Sequence, residues 1–103
     1  MIYVIAISEL HPGCREKFIA AAKENIPNVR AEEGCLLYEL NGNFASGLSA
    51  QIPLNDDTVV FIEGWESMAH LKKHLESAHM ADFRTKVSGM RKASTMRVVT
   101  PVA

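Results

Sequence analysis

The sequence predicts a single α+β domain with the element order β-α-β-β-α-β. Short apolar runs rich in β-branched residues alternate with stretches in which apolar residues recur every three or four positions. The chain has 103 residues, a length typical of one domain and too short for a second core. Four strands and two helices in this order form the ferredoxin-like arrangement, an antiparallel four-stranded sheet with both helices on one face.

The first strand is predicted over Ile2 to Glu9, and the first helix follows it. Ile5 to Ile7 are consecutive apolar residues, which indicates that both faces of this strand are covered. Pro12 suits the first helical position, where its missing N–H costs nothing, and Pro27 is expected to interrupt the helix near its end. The helix carries one apolar stripe with four-residue spacing: Phe18, Ala22 and Ile26.

A turn at Glu33-Gly34 leads into the second strand, Cys35 to Leu40. The next segment, Asn41 to Asp57, is rich in residues that break regular structure and is long for a hairpin connection. Its large apolar residues include Phe44, Leu48 and Ile52. Two interpretations are open: a long twisted hairpin whose apolar residues pack on a neighbouring part of the fold, or a cover over a pocket or clasp between subunits.

The third strand is predicted over Thr58 to Trp65, and Ser67 is a suitable N-cap for the helix after it. This helix reads as two segments that are offset at Ser77-Ala78. The first segment has the stripe Met68, Leu71, Leu75 and Ala78, and the second has the stripe Met80, Phe83, Val87 and Met90. Ser94 to Thr100 is the last predicted strand, with Val98-Val99 at its centre.

The apolar strands also predict a homodimer. Two helices cover only one face of the sheet, yet three strands carry consecutive apolar residues, so the other face must be buried as well. The chain has no further element for this purpose. A second copy packed sheet to sheet is the simplest solution, and a two-fold dimer is the commonest homo-oligomer.

Composition and charge exclude several classes of function. Eleven Lys and Arg against twelve Asp and Glu give a net charge of −1, which argues against a nucleic-acid partner. The apolar run at the start of the chain is too short to span a membrane and does not resemble an export signal, so we expect a cytoplasmic protein. Cys14 and Cys35 are then expected to be free thiols.

The candidate catalytic and binding residues lie mainly in the third strand and the helical segments after it. Phe61, Glu63 and Trp65 alternate along that strand and therefore point to the same face of the sheet. A carboxylate among apolar neighbours is costly to bury unless it is paired. Three of the four histidines follow in the next helical segments: His70, His74 and His79.

Three interpretations compete for these groups. Glu63 and a helix histidine can form a buried structural pair, or Glu63 can orient His74 and raise its pKa so that it abstracts a proton from a substrate. A metal site made of His70, His74 and Glu63 is the third interpretation. His74 and His79 would diverge on a continuous helix, but a break near Ser77 can bring them together.

The combined order and spacing of these residues resembles the antibiotic biosynthesis monooxygenase domain family. The stretch that carries the resemblance is Phe61-x-Glu63-x-Trp65-x-Ser67-x-x-x-Leu71-x-x-His74-x-x-Ser77-x-His79-x-x-x-Phe83. The N-terminal half agrees with it in three places: His11-Pro12-Gly13, the helix with Phe18 and Ala20-Ala21-Ala22, and Glu33-Gly34-Cys35-Leu36-x-Tyr38. Residues 43–57 are the exception, because the chain is longer there than the usual hairpin of the family.

The resemblance implies a dimeric α+β barrel of two ferredoxin-like protomers, with a pocket between the sheet and the helices of each. It also implies the oxidation of a small aromatic or quinol-type substrate by dioxygen, without flavin or metal. A haem-degrading branch of the superfamily uses an Asn on the first strand. The first strand has no Asn in its middle, Val4-Ile5-Ala6-Ile7. Haem degradation is therefore less expected than oxidation of a small molecule.

For such a reaction we expect His74 as the base and Glu63 as its support. Candidate substrate-binding residues are Trp65, Phe61, Phe83, Tyr38, His79 and Arg84. Arg84 could equally lie on a solvated helix face, and Tyr38 could be core. Two other functions stay open on the same scaffold: isomerisation or breakdown of a small carbonyl signal molecule, and a dimer that binds a ligand without catalysis.

Overall fold

The computed structural model describes residues 1–103 and has four strands and three helices. In chain order they are β1 (Ile2–Leu10), α1 (Arg15–Arg30), β2 (Cys35–Asn41), β3 (Thr58–Trp65), α2 (Met68–Glu76), α3 (Ala78–Lys86) and β4 (Arg91–Val99). The strands form one antiparallel sheet in the order β2-β3-β1-β4. This confirms the predicted ferredoxin-like arrangement, with the second helical region divided into α2 and α3.

The core lies between the sheet and the helices. Phe18 of α1 packs on Phe61 of β3, and His74 of α2 packs on Trp65 of β3, so the helices share one face of the sheet. We call this the inner face. The opposite, outer face carries the alternate residues of the strands, and no helix covers it. At its centre Ile5 of β1 lies directly opposite Ile62 of β3.

Helix α1 differs from the sequence prediction at both ends. It begins at Arg15 after a turn that contains Pro12, so Pro12 is not at the first helical position. Pro27 does not interrupt the helix, which continues to Arg30. A proline removes one hydrogen bond, and here the carbonyl of Pro27 still accepts the N–H of Ala31. The fully buried Val29 holds this last turn on the core and offsets the cost of the proline.

The break between α2 and α3 occurs at Ser77, as the two offset stripes predict. Ser77 is both the C-cap of α2 and the N-cap of α3. Its hydroxyl donates a hydrogen bond to the carbonyl of His74 at 2.8 Å and accepts one from the N–H of Met80. One side chain therefore ends the first helix and starts the second.

Strand β4 begins at Arg91, three residues before the predicted start. Its residues pair along almost the whole length of β1, from Tyr3 to Leu10, so backbone pairing extends the strand through a polar stretch. Val98 and Val99 lie at the end of the strand, not at its centre, and both are nearly half exposed at 48% and 45%.

Residues 42–57, which we call the arm, form no helix or strand. The amide of Gln51 donates to the carbonyl of Phe44 at 2.8 Å, and Asn43 accepts the N–H of Leu54 at 2.9 Å. Three large apolar side chains of the arm are 70–91% exposed: Phe44, Leu48 and Ile52. In the single chain these side chains therefore do not pack on another element. A clasp between subunits stays a prediction.

The helices are short or strongly charged, and none has the length and apolar content needed to cross a bilayer.

A substitution at Gly34 tests the turn between α1 and β2. Gly34 has a φ of +81°, and a Cβ at this position would overlap the imidazole of His70. We expect Gly34→Ala to lower the free energy of unfolding by roughly 2–4 kcal/mol, from backbone strain and overpacking together. Gly13→Ala is the matched control, because Gly13 has a φ of +83° but open space around it. Equal losses in urea unfolding would contradict the packing part of this prediction.

Candidate active site

A cavity of about 150 Å³ lies between the inner face of the sheet and the helices α2 and α3. Six of the predicted site residues line it: Tyr38, Phe61, Glu63, His74, Phe83 and Arg84. A cavity of this size accommodates one benzene-sized ring. The walls are aromatic, and the polar groups come from five different elements, which is typical of a small-molecule site.

His74 is the most deeply buried titratable group of the cavity wall, with 1% of its surface exposed. Its Nδ1 lies 2.6 Å from Oε2 of Glu32, in the connection between α1 and β2. The ring of Trp65 packs against the imidazole with centroids 4.6 Å apart, and Tyr38 contacts it edge-on at 5.5 Å. Three directions around the ring are thus occupied, so its orientation is determined.

Burial lowers the pKa of His74, although the hydrogen bond to Glu32 partly opposes this. The imidazole is therefore neutral near pH 7. Its Nδ1–H donates to the Glu32 carboxylate, and this assigns the free lone pair to Nε2. That nitrogen lies 3.9 Å from Oε1 of Glu63, at the cavity wall. A neutral ring with a free Nε2 at a cavity can accept a proton from a bound molecule.

Glu63 is 5% exposed and accepts a hydrogen bond from the indole N–H of Trp65 at 2.9 Å. Burial raises the pKa of Glu63 to about 7, against the lowering effect of the Trp65 hydrogen bond. The negative charge of Glu32 raises it further. Glu63 is thus close to half protonated near neutral pH and can gain or lose a proton there.

The sequence prediction assigned the wrong carboxylate to His74. Glu32, not Glu63, holds the imidazole by a short hydrogen bond, and the net effect of the site on the His74 pKa is a decrease. Glu32 lies 42 residues before His74 and just outside α1. No periodic pattern marks this position, and the only available signal was a pair of acidic residues before the Gly34 turn.

Two predicted pocket residues lie outside the cavity. Trp65 is fully buried and sits behind His74, where it supports the ring and Glu63 instead of contacting a ligand. His79 lies on the far side of Glu32, with its Nε2 3.4 Å from Oε1 of that carboxylate. The break at Ser77 does bring His74 and His79 together, with ring centroids 6.4 Å apart.

The structure does not support the metal interpretation. His70 packs over Gly34, and its Nδ1 lies 2.7 Å from the hydroxyl of Ser67. It is therefore engaged away from the His74 and Glu63 pair. No group of three or more His, Cys, Asp or Glu side chains is arranged to hold a metal ion.

Two cations border the cavity. Arg84 is exposed and donates to the carbonyl of Leu75 at 3.0 Å, so its guanidinium is held near the cavity rim. Arg91, at the start of β4, lies over the ring of Phe18 and donates to the hydroxyl of Ser8. Sequence reasoning missed Arg91 as a cavity residue because it placed the start of the last strand three residues too late. Burial lowers the pKa of Arg91, an effect that a bound anion would oppose.

Both cysteines are free thiols, as predicted. Burial raises the pKa of Cys35, with a further contribution from the charge of Glu32, so this thiol is a weak nucleophile near pH 7.

Comparisons with known proteins identify the family and the fold. A sequence model of the family described as antibiotic biosynthesis monooxygenase matches residues 1–86. The Escherichia coli (strain K12) protein named "Probable quinol monooxygenase YgiN" is 35% identical over 98% of both chains. "Putative monooxygenase YcnE" of Bacillus subtilis (strain 168) is 31% identical over 84% of this chain and 81% of its own. The crystal structure of PA3566 from Pseudomonas aeruginosa shares the fold, with a TM-score of 0.83 at 22% identity, over 99% of this chain and 94% of that one.

The buried carboxyl of Glu63 makes the stability depend on pH. The unfolded chain loses this proton near 4.5, whereas the folded chain keeps it up to about 7. The folded state therefore binds more protons in this window, and the free energy of unfolding falls as the pH rises through it. Glu63→Gln should reduce the loss between pH 4 and pH 8 by roughly 1–3 kcal/mol.

Urea unfolding at both pH values measures this loss. Glu66→Gln, at an exposed carboxylate, is the control. A Glu63→Gln variant with the same pH dependence as the wild type would show that the Glu63 proton does not contribute.

Proposed function

Because the chain belongs to the antibiotic biosynthesis monooxygenase family, we propose that it is a monooxygenase that oxidises a small, single-ring quinol with dioxygen. The observation that carries this proposal is the free Nε2 of His74 at an aromatic cavity, with the ring oriented by Glu32. The name of the Escherichia coli relative supports the choice of a quinol.

The first step is the removal of a proton from a substrate hydroxyl. Dioxygen is a triplet and reacts slowly with a neutral quinol, whereas a quinol anion can transfer one electron to it. His74 takes the proton at Nε2, where the neutral imidazole has a free lone pair because burial disfavours its charged form before substrate binds. The Glu32 carboxylate stabilises the imidazolium that forms.

This reaction needs no added reductant, because the quinol supplies all the electrons. The quinol anion gives one electron to dioxygen, and the resulting semiquinone and superoxide combine at an unsubstituted ring carbon to form a peroxide. Loss of water from the peroxide leaves a hydroxyquinone. One oxygen atom enters the ring and the other leaves as water, so quinol and dioxygen give hydroxyquinone and water, with all electrons supplied by the substrate.

Cationic and neutral donors around the cavity favour the anion. The Arg84 and Arg91 guanidinium groups lie at its border and provide positive charge. Burial raises the pKa of Tyr38, so its hydroxyl stays protonated and can donate a hydrogen bond to a substrate oxygen. Phe61 and Phe83 enclose the ring and limit access of water.

The proposed functional unit is a homodimer that buries the outer face. Ile5 and Ile62 form the centre of this face, and Ile62 is 37% exposed in the isolated chain. The helices pack only on the inner face, so a second sheet can cover the outer face without obstructing the cavity. The two free thiols are consistent with the cytoplasm as its compartment.

Removal of the base is the direct test of the mechanism. His74→Ala should lower kcat for a hydroquinone by roughly 10²-fold or more. Dioxygen uptake measures the rate, and labelled dioxygen should leave one labelled atom in the quinone and one in water.

His11→Ala, at an exposed histidine, is the control and should retain full activity. Wild-type activity in a folded His74→Ala variant would exclude His74 as the base. Conversion of a carbonyl substrate without dioxygen uptake would favour the isomerase alternative.

A charge on the outer face tests the dimer. Ile62→Lys should convert the protein from dimer to monomer, because two buried ammonium groups would face each other across the interface. Light scattering after size exclusion measures the mass. Met68→Lys is the matched control, since Met68 is 56% exposed but lies on the helical side. A monomeric wild-type protein at micromolar concentration would contradict the proposal.

A further inference from the structure

A line of four titratable side chains leads from the cavity through the helical layer. Oε1 of Glu63 lies 3.9 Å from Nε2 of His74, and Nδ1 of His74 lies 2.6 Å from Oε2 of Glu32. The other oxygen of the same carboxylate, Oε1, lies 3.4 Å from Nε2 of His79. Glu32 thus bridges two imidazole rings, one at the cavity and one beyond it.

Exposure increases along this line from His74 outwards. The side chains of His74, Glu32 and His79 are 1%, 17% and 26% exposed. His79 borders a second, polar cleft of about 220 Å³ between α1 and α3. The polar groups around that cleft are Glu24, Asn25, Asn28, Asp82 and Lys86, of which Glu24 and Lys86 form an ion pair. The cavity and the cleft share Phe83 but none of these polar groups, and Glu32 lies close to a ring nitrogen of each histidine.

The hydrogen bonds of Asn25 determine which nitrogen of His79 carries the proton. The Asn25 amide nitrogen donates to the sulfur of Met80, and its Oδ1 accepts from Asn28 at 3.2 Å. Oδ1 therefore faces Nδ1 of His79, 3.1 Å away, and Nδ1 must be the donor. In the neutral form of the ring the lone pair is then on Nε2, which is buried and has no hydrogen-bond partner. A buried acceptor without a partner is costly, and here it faces a carboxylate oxygen.

We propose that Glu32 and His79 form a proton relay that removes the substrate proton from His74 and returns it when water is formed. This inference rests on the proposed function. The unpartnered Nε2 of His79 is the position that receives the proton. Its location on the far side of Glu32 separates the positive charge from the substrate anion.

The transfer balances at each atom. His74 takes the substrate proton at Nε2 and gives its Nδ1 proton to Oε2 of Glu32. A half-turn of the carboxyl group brings this proton to Nε2 of His79, which becomes an imidazolium beside the restored carboxylate. His74 is then neutral and donates its Nε2–H to the substrate anion. When the peroxide loses water, the proton returns by the same route, and all three groups regain their initial states.

Two variants interrupt the relay at different points. His79→Ala should lower kcat about tenfold and leave KM unchanged, because His79 does not line the cavity. Added imidazole should restore kcat by entering the cleft where the ring was. Glu32→Gln still accepts the His74 Nδ1–H but cannot take up a proton, so it should lower kcat without rescue by imidazole.

His70→Ala is the control. His70 is similarly exposed, at 22%, and lies outside the line. It should retain kcat with or without imidazole. Full activity of His79→Ala, or a decrease that imidazole does not reverse, would overturn the relay and leave His79 a structural residue.

Nitrogen NMR of the histidine rings separates the relay from the proposed function. The substrate-free protein should show protons on Nδ1 of both His74 and His79. A proton on Nε2 of His79 would overturn the relay, whatever the activity. A protein with the expected tautomers that consumes no dioxygen with any hydroquinone or naphthol would instead overturn the proposed function.

Discussion

The hydrogen bond between His74 and Glu32 joins the two halves of the fold. Glu32 follows α1 in the first β-α-β unit, and His74 belongs to α2 in the second. The bond connects them at 2.6 Å in an almost sealed environment, where a charged hydrogen bond is strong and its loss is costly. The position of α2 over the sheet, the tautomer of His74 and the shape of the cavity wall all depend on it.

The site keeps two carboxyl groups in different states through different environments. Glu32 is partly exposed and has an imidazole on either side, whereas Glu63 is enclosed by the sheet and accepts its one hydrogen bond from an indole N–H. Desolvation therefore acts mainly on Glu63 and raises its pKa, while the charge on Glu32 is compensated. His74 lies between a carboxylate that accepts its Nδ1–H and a carboxyl that is close to half protonated near neutral pH, and this asymmetry directs its proton away from the cavity and its lone pair towards it.

The sequence predicted best what depends on local pattern. The bounds of β3 and the break at Ser77 follow from apolar runs and offset stripes, and both agree with the structure. The alternation of Phe61, Glu63 and Trp65 also gave the correct face. It could not show that Trp65 lies behind His74. Whether a side chain on the inner face lines the cavity or lies beneath a helix depends on where the helix crosses the sheet. Glu32 and Arg91 were missed for a related reason. Each is brought to the site by long-range packing, and no periodic pattern of apolar residues in the neighbouring sequence indicates this.

The double cap at Ser77 has a consequence for how this protein can vary. The five residues from His74 to His79 would turn the two rings about 140° apart on an unbroken helix, and the extended backbone at Ser77 cancels that rotation. What matters at this junction is therefore the number of residues more than their identity. Exchanging Ser77 for another capping residue preserves the phase of α3, whereas inserting or deleting one residue turns every side chain of α3 by a quarter turn or more. In a set of natural variants, this junction should tolerate substitutions but have an invariant length.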